Sequence, residues 1–207
     1  MQNVPELHTW EEAVLWLRKQ PDQQQLVHAC FYDDPLIDAA RRYASSIEWQ
    51  ALRRYLPAKR GHALDLGAGR GIASYALASE GWSVTAVEPD LSNVVGVGAI
   101  QQLAQESGLP IEVVAQHGEA LPFKDHLFDL IHCRAVLHHA RDLSALCREV
   151  SRVLRPNGMF IATREHVISR KADLGAFLDS HPLHRLYGGE NAYLLTEYQR
   201  AIKAAGL

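Results

Sequence analysis

Basic residues are not in excess: 21 Lys and Arg stand against 24 Asp and Glu in 207 residues, a formal net charge of -3. A broad cationic surface is excluded, so no nucleic-acid partner is expected and a small-molecule substrate is. Long apolar runs are also missing. No stretch approaches the length needed to cross a bilayer, and residues 1–10 hold neither a cationic segment nor an apolar one, which predicts a soluble protein without a membrane partner. Cysteine is scarce and odd in number. Cys30, Cys133 and Cys147 have no CxxC spacing, so neither a disulfide framework nor a zinc ribbon is expected, and the thiols point to the cytoplasm. Internal repeats and low-complexity linkers are absent.

A hydrophobic content of 47% with 22% charged residues is enough for one sizeable core. The pattern predicts a helical N-terminal extension over 1–60 and an α/β core over 61–207. In the extension, Trp10, Ala13, Val14, Trp16 and Leu17 form an apolar stripe that Pro21 stops, and residues 36–56 read as two short helices. From residue 62, short β-rich runs alternate with helical ones, the signature of a parallel sheet with crossover helices. Strands are expected at 62–66, 83–87, 111–115, 128–133 and 159–163, and helices at 71–80, 92–107 and 142–154. In the last helix Leu143, Leu146, Cys147, Val150, Val153 and Leu154 share one face. It should end at Arg155-Pro156-Asn157-Gly158, with Gly158 free to take positive φ. Thr196 and Gln199 are spaced as a capping box before a final helix at 196–206.

The chemistry concentrates at the end of the first strand. Gly67-Ala68-Gly69-Arg70-Gly71 lets the backbone bend and lie against a ligand; taken alone, such a turn also serves any doubly wound fold simply to pack the helix close to the strand. Asp65 stands two residues before it, where a pyrophosphate would be repelled and an ammonium group attracted. The spacing is G-x-G-x-G, with Ile72 where a dinucleotide fingerprint needs glycine or alanine. Both features disfavour a nicotinamide-dependent oxidoreductase. Glu88 ends the second strand, where a carboxylate can accept both hydroxyls of a ribose.

Residues 63–71 (ALDLGAGRG), 84–90 (VTAVEPD), 117–123 (HGEALPF), 128–139 (FDLIHCRAVLHH) and 152–160 (RVLRPNGMF) follow one another in an order that resembles class I S-adenosylmethionine-dependent methyltransferases acting on small molecules. The resemblance spans residues 45–165. It implies a Rossmann-like doubly wound parallel sheet of order 3-2-1-4-5, S-adenosylmethionine as cofactor, and methyl transfer to a small-molecule acceptor by in-line displacement. It also implies that Gly67, Ala68 and Gly69 offer backbone to the methionine part, with Asp65 near its amino group. Glu88, beside Pro89, would hold the ribose; Gly118, Glu119 and Ala120 would meet the adenine; Cys133 and Arg134 would line the methionyl side.

A base is needed only if the acceptor must lose a proton. Candidates are His138 and His139 after the fourth strand, and Glu165 and His166 after the fifth; the alternative for His138 is to cap a helix or close the pocket. His132, Cys133, His138 and His139 lack paired ligand spacing, so no metal is expected. Residues 180–189 read either as a substrate lid or as a polar loop. Family members continue past the helix at 196–206 into two further strands, whereas this sequence ends at Leu207. The fifth strand is therefore expected to present an open edge and an uncovered apolar face, suited to self-association as a homo-oligomer. A chain of that kind could also bind cofactor without catalysing transfer.

Overall fold

The computed structural model describes residues 9–207. Helix α1 (Trp10–Arg18) is opened by Thr9, whose hydroxyl accepts from the Glu12 N–H while the Glu12 carboxylate accepts from the Thr9 N–H. It buries Ala13, Val14 and Leu17, the expected stripe, and α2 (Gln24–Ala29) follows. The two short helices expected over 36–56 are α3 (Leu36–Ala44) and α4 (Ile47–Leu52).

The core then alternates strand and helix: β1 (His62–Leu66), α5 (Ile72–Ser79), β2 (Ser83–Val87), α6 (Val97–Ser107), β3 (Ile111–Val114), β4 (Phe128–Arg134), α7 (Leu143–Val153) and β5 (Leu154–Thr163). All five strands are parallel, in the order β3-β2-β1-β4-β5 that the resemblance implies. The chain continues through β6 (Val167–Ile168), α8 (Leu174–Ser180), α9 (His184–Tyr187), β7 (Tyr193–Leu194) and α10 (Leu195–Ala204).

Side chains alternate across each strand, so the sheet feeds two cores. On one face Ala63, Val84 and Leu130 meet α5 and α6, and the same cluster takes in Leu36, Ile37, Tyr43, Trp49 and Leu52. Tyr43 and Trp49 are fully buried, so α3 and α4 complete this face rather than trailing from it. On the other face Leu64, Leu66, Ile131 and Cys133 pack against Leu146, Cys147, Val150 and Val153 of α7. Burying each such leucine or valine contributes roughly 1.5–3 kcal/mol.

Four local expectations need correction. Helix α6 starts at Val97, five residues later than expected, because the Ser92 hydroxyl takes the N–H groups of Val94 and Val95 and Asp90 O takes that of Val97. The left-handed residue after α7 is Asn157 (φ 64), not Gly158; a Cβ at Gly158 would meet Leu154 and the Arg155 carbonyl below 3.0 Å. The N-terminus of α10 is held by Glu197, which accepts from the Leu194 N–H at 3.0 Å, so Thr196 and Gln199 form no box. Finally, the apolar face of β5 is not bare, since Phe160 and Ala162 pack in the cluster that contains Tyr198 and Ala201 of α10. Its outer edge pairs with no strand among the described residues.

Arg70, inside the glycine turn, ties the N-terminal extension to the core. Its guanidinium is buried and donates to the carbonyls of Val94, Phe31 and Asp33, at 3.0, 2.7 and 2.9 Å, and to the Asp34 carboxylate. Arg70→Ala would leave three partly buried carbonyls without their donor and should destabilise the chain by about 2–3 kcal/mol in urea denaturation. A change within a few tenths of wild type would contradict this role.

Candidate functional site

A cavity of about 950 Å³ opens at the carboxyl ends of β1, β2 and β4, the place where open parallel sheets take ligands. Its floor is the glycine turn. Gly67, Gly69 and Gly71 all have positive φ, at 64°, 55° and 80°. At Gly67 a Cβ would lie 2.7–2.8 Å from the Val136 methyls, so this position excludes any side chain. The turn is pinned by the Ala68 N–H, which donates to Val87 O at 3.0 Å.

Glu88 extends from β2 beneath this turn and is only 5% exposed. Its carboxylate accepts from the N–H groups of Gly69, at 2.8 Å, and Asp90, at 3.0 Å. Burial outweighs these two hydrogen bonds and pushes its pKa up to about 7, with the Asp90 and Asp65 charges adding to the rise. Asp65 also borders the cavity, paired in register with His132; its oxygens take the Ser74 hydroxyl at 2.6 Å and face His132 Nδ1 at 3.3 Å.

Pro89, Gly118 and Glu119 line the cavity too, and Glu119 accepts from the Arg141 N–H at 2.9 Å. Ala120 does not: it is exposed, in a turn where its N–H donates to His117 O. Cys133 is also outside the lining. It is completely buried on the α7 side of the sheet, and burial raises its pKa far above that of an ordinary thiol. The alternation of β4 explains this, because adjacent residues at a strand end face opposite sides. Arg134, its neighbour, does border the cavity, but its guanidinium is paired with Glu48 of α4 at 2.7 and 3.2 Å and lies over Tyr43 and Phe31.

Histidines crowd the opposite end. His138 is buried, with Nδ1 2.8 Å from a Glu165 oxygen, and its ring stacks on His166 at a centroid distance of 4.0 Å. Glu165 also accepts from the N–H groups of Val136, Leu137 and His138, so it holds the whole loop after β4. Burial works against a charged imidazole, yet the Glu165 hydrogen bond and the nearby Glu190 carboxylate hold the His138 pKa above its ordinary value. Burial and the nearby His138 charge lower His166 and His139.

Some lining residues were not singled out from sequence, and others lie in the stretch 180–189 read there as a lid or a loop. Trp10 of α1 stands over Gly69 and donates through Nε1 to the Tyr32 hydroxyl at 3.1 Å, so α1 roofs the turn. Tyr187 and Leu183 come from the segment around α9, where Leu183 and Leu186 pack with Ala13, Val14 and Leu17. The stretch 180–189 therefore covers the cavity rather than looping into solvent. His181 and Glu190 belong to it and its exit, and no spacing in the sequence marks either of them.

Residues 64–162 match the family model described as "Methyltransferase domain". The chain is 33% identical over 110 residues to a ubiquinone biosynthesis O-methyltransferase of Methylobacterium nodulans, covering 53% of this chain and 43% of that protein. It is 35% identical over 143 residues to a sarcosine/dimethylglycine N-methyltransferase of Halorhodospira halochloris, covering 66% and 49% respectively. These matches span less than half the length of either curated relative. The fold is similar to that of YcgJ from Bacillus subtilis, with TM-score 0.65, 24% identity, and coverage of 80% of this chain and 68% of that one. Residues 64–162, from β1 through β5, thus match a methyltransferase domain, on a fold similar to that of YcgJ.

Proposed function

We propose that the protein binds S-adenosylmethionine across the glycine turn and transfers its methyl group to a small molecule held at the histidine end of the same cavity. The observation that carries this reading is Glu88, a buried carboxylate without a cation partner among the described residues, set beside a turn whose first glycine tolerates no Cβ. The residues fit the cofactor: Glu88 suits two ribose hydroxyls, Gly118 and Glu119 lie along the cavity for the adenine, and Asp65 with Arg134 borders the methionine end. Ala120 and Cys133 act through the backbone and core around the site rather than by contact. The bound cofactor supplies a methyl group activated on positive sulfur, and the chain's part is to align an acceptor with it and exclude water, effects able to supply about 7–11 kcal/mol.

The acceptor end is lined by His138, His139, His166, His181 and Glu190, of which we assign His138 and His166 contact with the acceptor. Relatives named for O- and for N-methylation support a small-molecule acceptor and leave the methylated atom open. The free thiols Cys30, Cys133 and Cys147 support a cytoplasmic setting. No described helix is long and apolar enough to cross a membrane. The open edge of β5 is the surface through which we propose self-association, and sedimentation of a clean monomer at micromolar concentration would remove that proposal.

Calorimetry tests the cofactor site. S-adenosylhomocysteine should bind and NADH should not; the reverse preference would overturn the reading. Glu88→Ala should weaken S-adenosylhomocysteine by about 1.5–3 kcal/mol, and unchanged affinity would free Glu88 from the ribose role. The free carboxyl is about half protonated near pH 7, and only its ionised form accepts both hydroxyls. Affinity should therefore fall as pH drops through 7, about tenfold between pH 8 and pH 6, with proton release on binding. A flat profile would contradict the buried-carboxylate account. Label transfer from methyl-labelled cofactor to pooled metabolites tests turnover, and His166→Ala should slow it without altering S-adenosylhomocysteine affinity.

A further inference from the structure

Four imidazoles converge on one carboxylate at the acceptor end of the cavity. His138 and His139 come from the loop after β4, His166 from the exit of β5, His181 from the end of α8, and Glu190 from the segment leading into β7. The short parallel pair β6–β7 brings two of these strangers in sequence together, since pairing Val167 with Tyr193 sets His166 beside Glu190 and Asn191. The ligand atoms of His138, His139 and Glu190 lie within 4.8 Å of one another, and those of His166, His181 and Glu190 do likewise.

The separations are the informative part. His138 Nε2 is 3.6 Å and His139 Nε2 3.8 Å from the Glu190 oxygen. Both are too long for a hydrogen bond. They are close to the roughly 3.4 Å that separates two ligands of one tetrahedral zinc ion at about 2.0–2.1 Å from each. The tautomers are also set for ligation: His138 Nδ1 is engaged by Glu165 at 2.8 Å and His139 Nδ1 by the Gly189 carbonyl at 3.0 Å, which leaves both Nε2 atoms facing Glu190. A carboxylate behind a ligating imidazole is the usual support of a metal-binding histidine.

We propose that His138, His139 and Glu190 bind one divalent transition-metal ion, with His166 and His181 on the same carboxylate as neighbours rather than ligands. Two nitrogens and one oxygen favour zinc or cobalt over magnesium. Three protein ligands leave a tetrahedral ion one position for a small-molecule donor, as in metal sites that take substrate. The class of ligand that fits is an anionic oxygen or sulfur. This deepens the methyl-acceptor reading in what the ion would hold; whether the ion binds stands apart from it. The ion would also tie the cavity cover, through Glu190, to the loop after β4.

The test is equilibrium dialysis of the untagged, chelator-stripped chain against zinc, cobalt and magnesium chlorides, with metal analysis and the visible spectrum of the cobalt form. One equivalent of zinc or cobalt per chain at micromolar concentration is expected, with a low-symmetry cobalt spectrum and no magnesium uptake. Glu190→Gln and His139→Ala should each weaken zinc at least tenfold, while His28→Ala, an exposed imidazole away from the cavity, keeps wild-type affinity. Circular dichroism of each variant confirms that it folds, and the partly exposed His139 is the safer of the two. No zinc or cobalt uptake by the wild-type chain, or a loss below tenfold in either variant, overturns the proposal. S-adenosylhomocysteine binding on the same samples distinguishes this failure from failure of the cofactor site.

Discussion

Glu88 puts a carboxylate at the end of β2 with almost no access to solvent and only two backbone N–H groups to meet it. Burying a charge in this way is unfavourable, and the rise of its pKa to about 7 measures that conflict. The surrounding structure exists to hold the conflict in place. The β1–β2 register sets Leu66 opposite Val87, which brings the glycine turn over the carboxylate, and the Ala68 N–H fastens the turn to Val87 O. Positive φ at Gly67 and Gly69 then directs the Gly69 N–H onto Glu88. A folded domain does not need this arrangement for its own stability; a ligand offering hydroxyl donors makes sense of it.

The same turn anchors the roof. Arg70 captures the carbonyls of residues 31 and 33, so the loop after α2 cannot leave without uncovering a buried guanidinium. That loop carries Tyr32, which supports Trp10 above Gly69. Leu183 and Leu186 close the other side against α1. Floor and cover are thus one connected structure, and the cavity between them is polar at both ends, with acids at the turn and imidazoles opposite.

Much of this could be read from the residues. The first four strand positions and the α7 stripe followed from periodicity, because a parallel sheet buried on both faces leaves few other places for such runs, whereas β5 starts at Leu154, five residues before the expected start. Asp65, Gly67, Gly69 and Glu88 were legible because strand ends are where a turn and a carboxylate meet. Cys133 was misplaced by one residue of strand alternation, a register that a motif cannot reveal, and Ala120 by a turn that faces outward. Helix α6 began late because Ser92 and Asp90 compete for N–H groups that propensity alone assigns to a helix. Glu190 was beyond reach, and His181 was legible only as part of the stretch 180–189 read as a lid or a loop. The histidines around Glu190 lie between 9 and 52 residues away in the chain, and only the two-residue β6–β7 pairing and the packing of α9 on α1 bring them to the cavity.

The central claim is that the Glu88 carboxylate and the glycine turn together form the seat of the cofactor ribose. A crystal structure of the chain grown with S-adenosylhomocysteine tests it most directly. Both ribose hydroxyls should lie within hydrogen-bond distance of the Glu88 carboxylate, with the adenine beside Gly118 and Glu119. A ligand bound elsewhere in the cavity, or a ribose turned away from Glu88, would contradict the account.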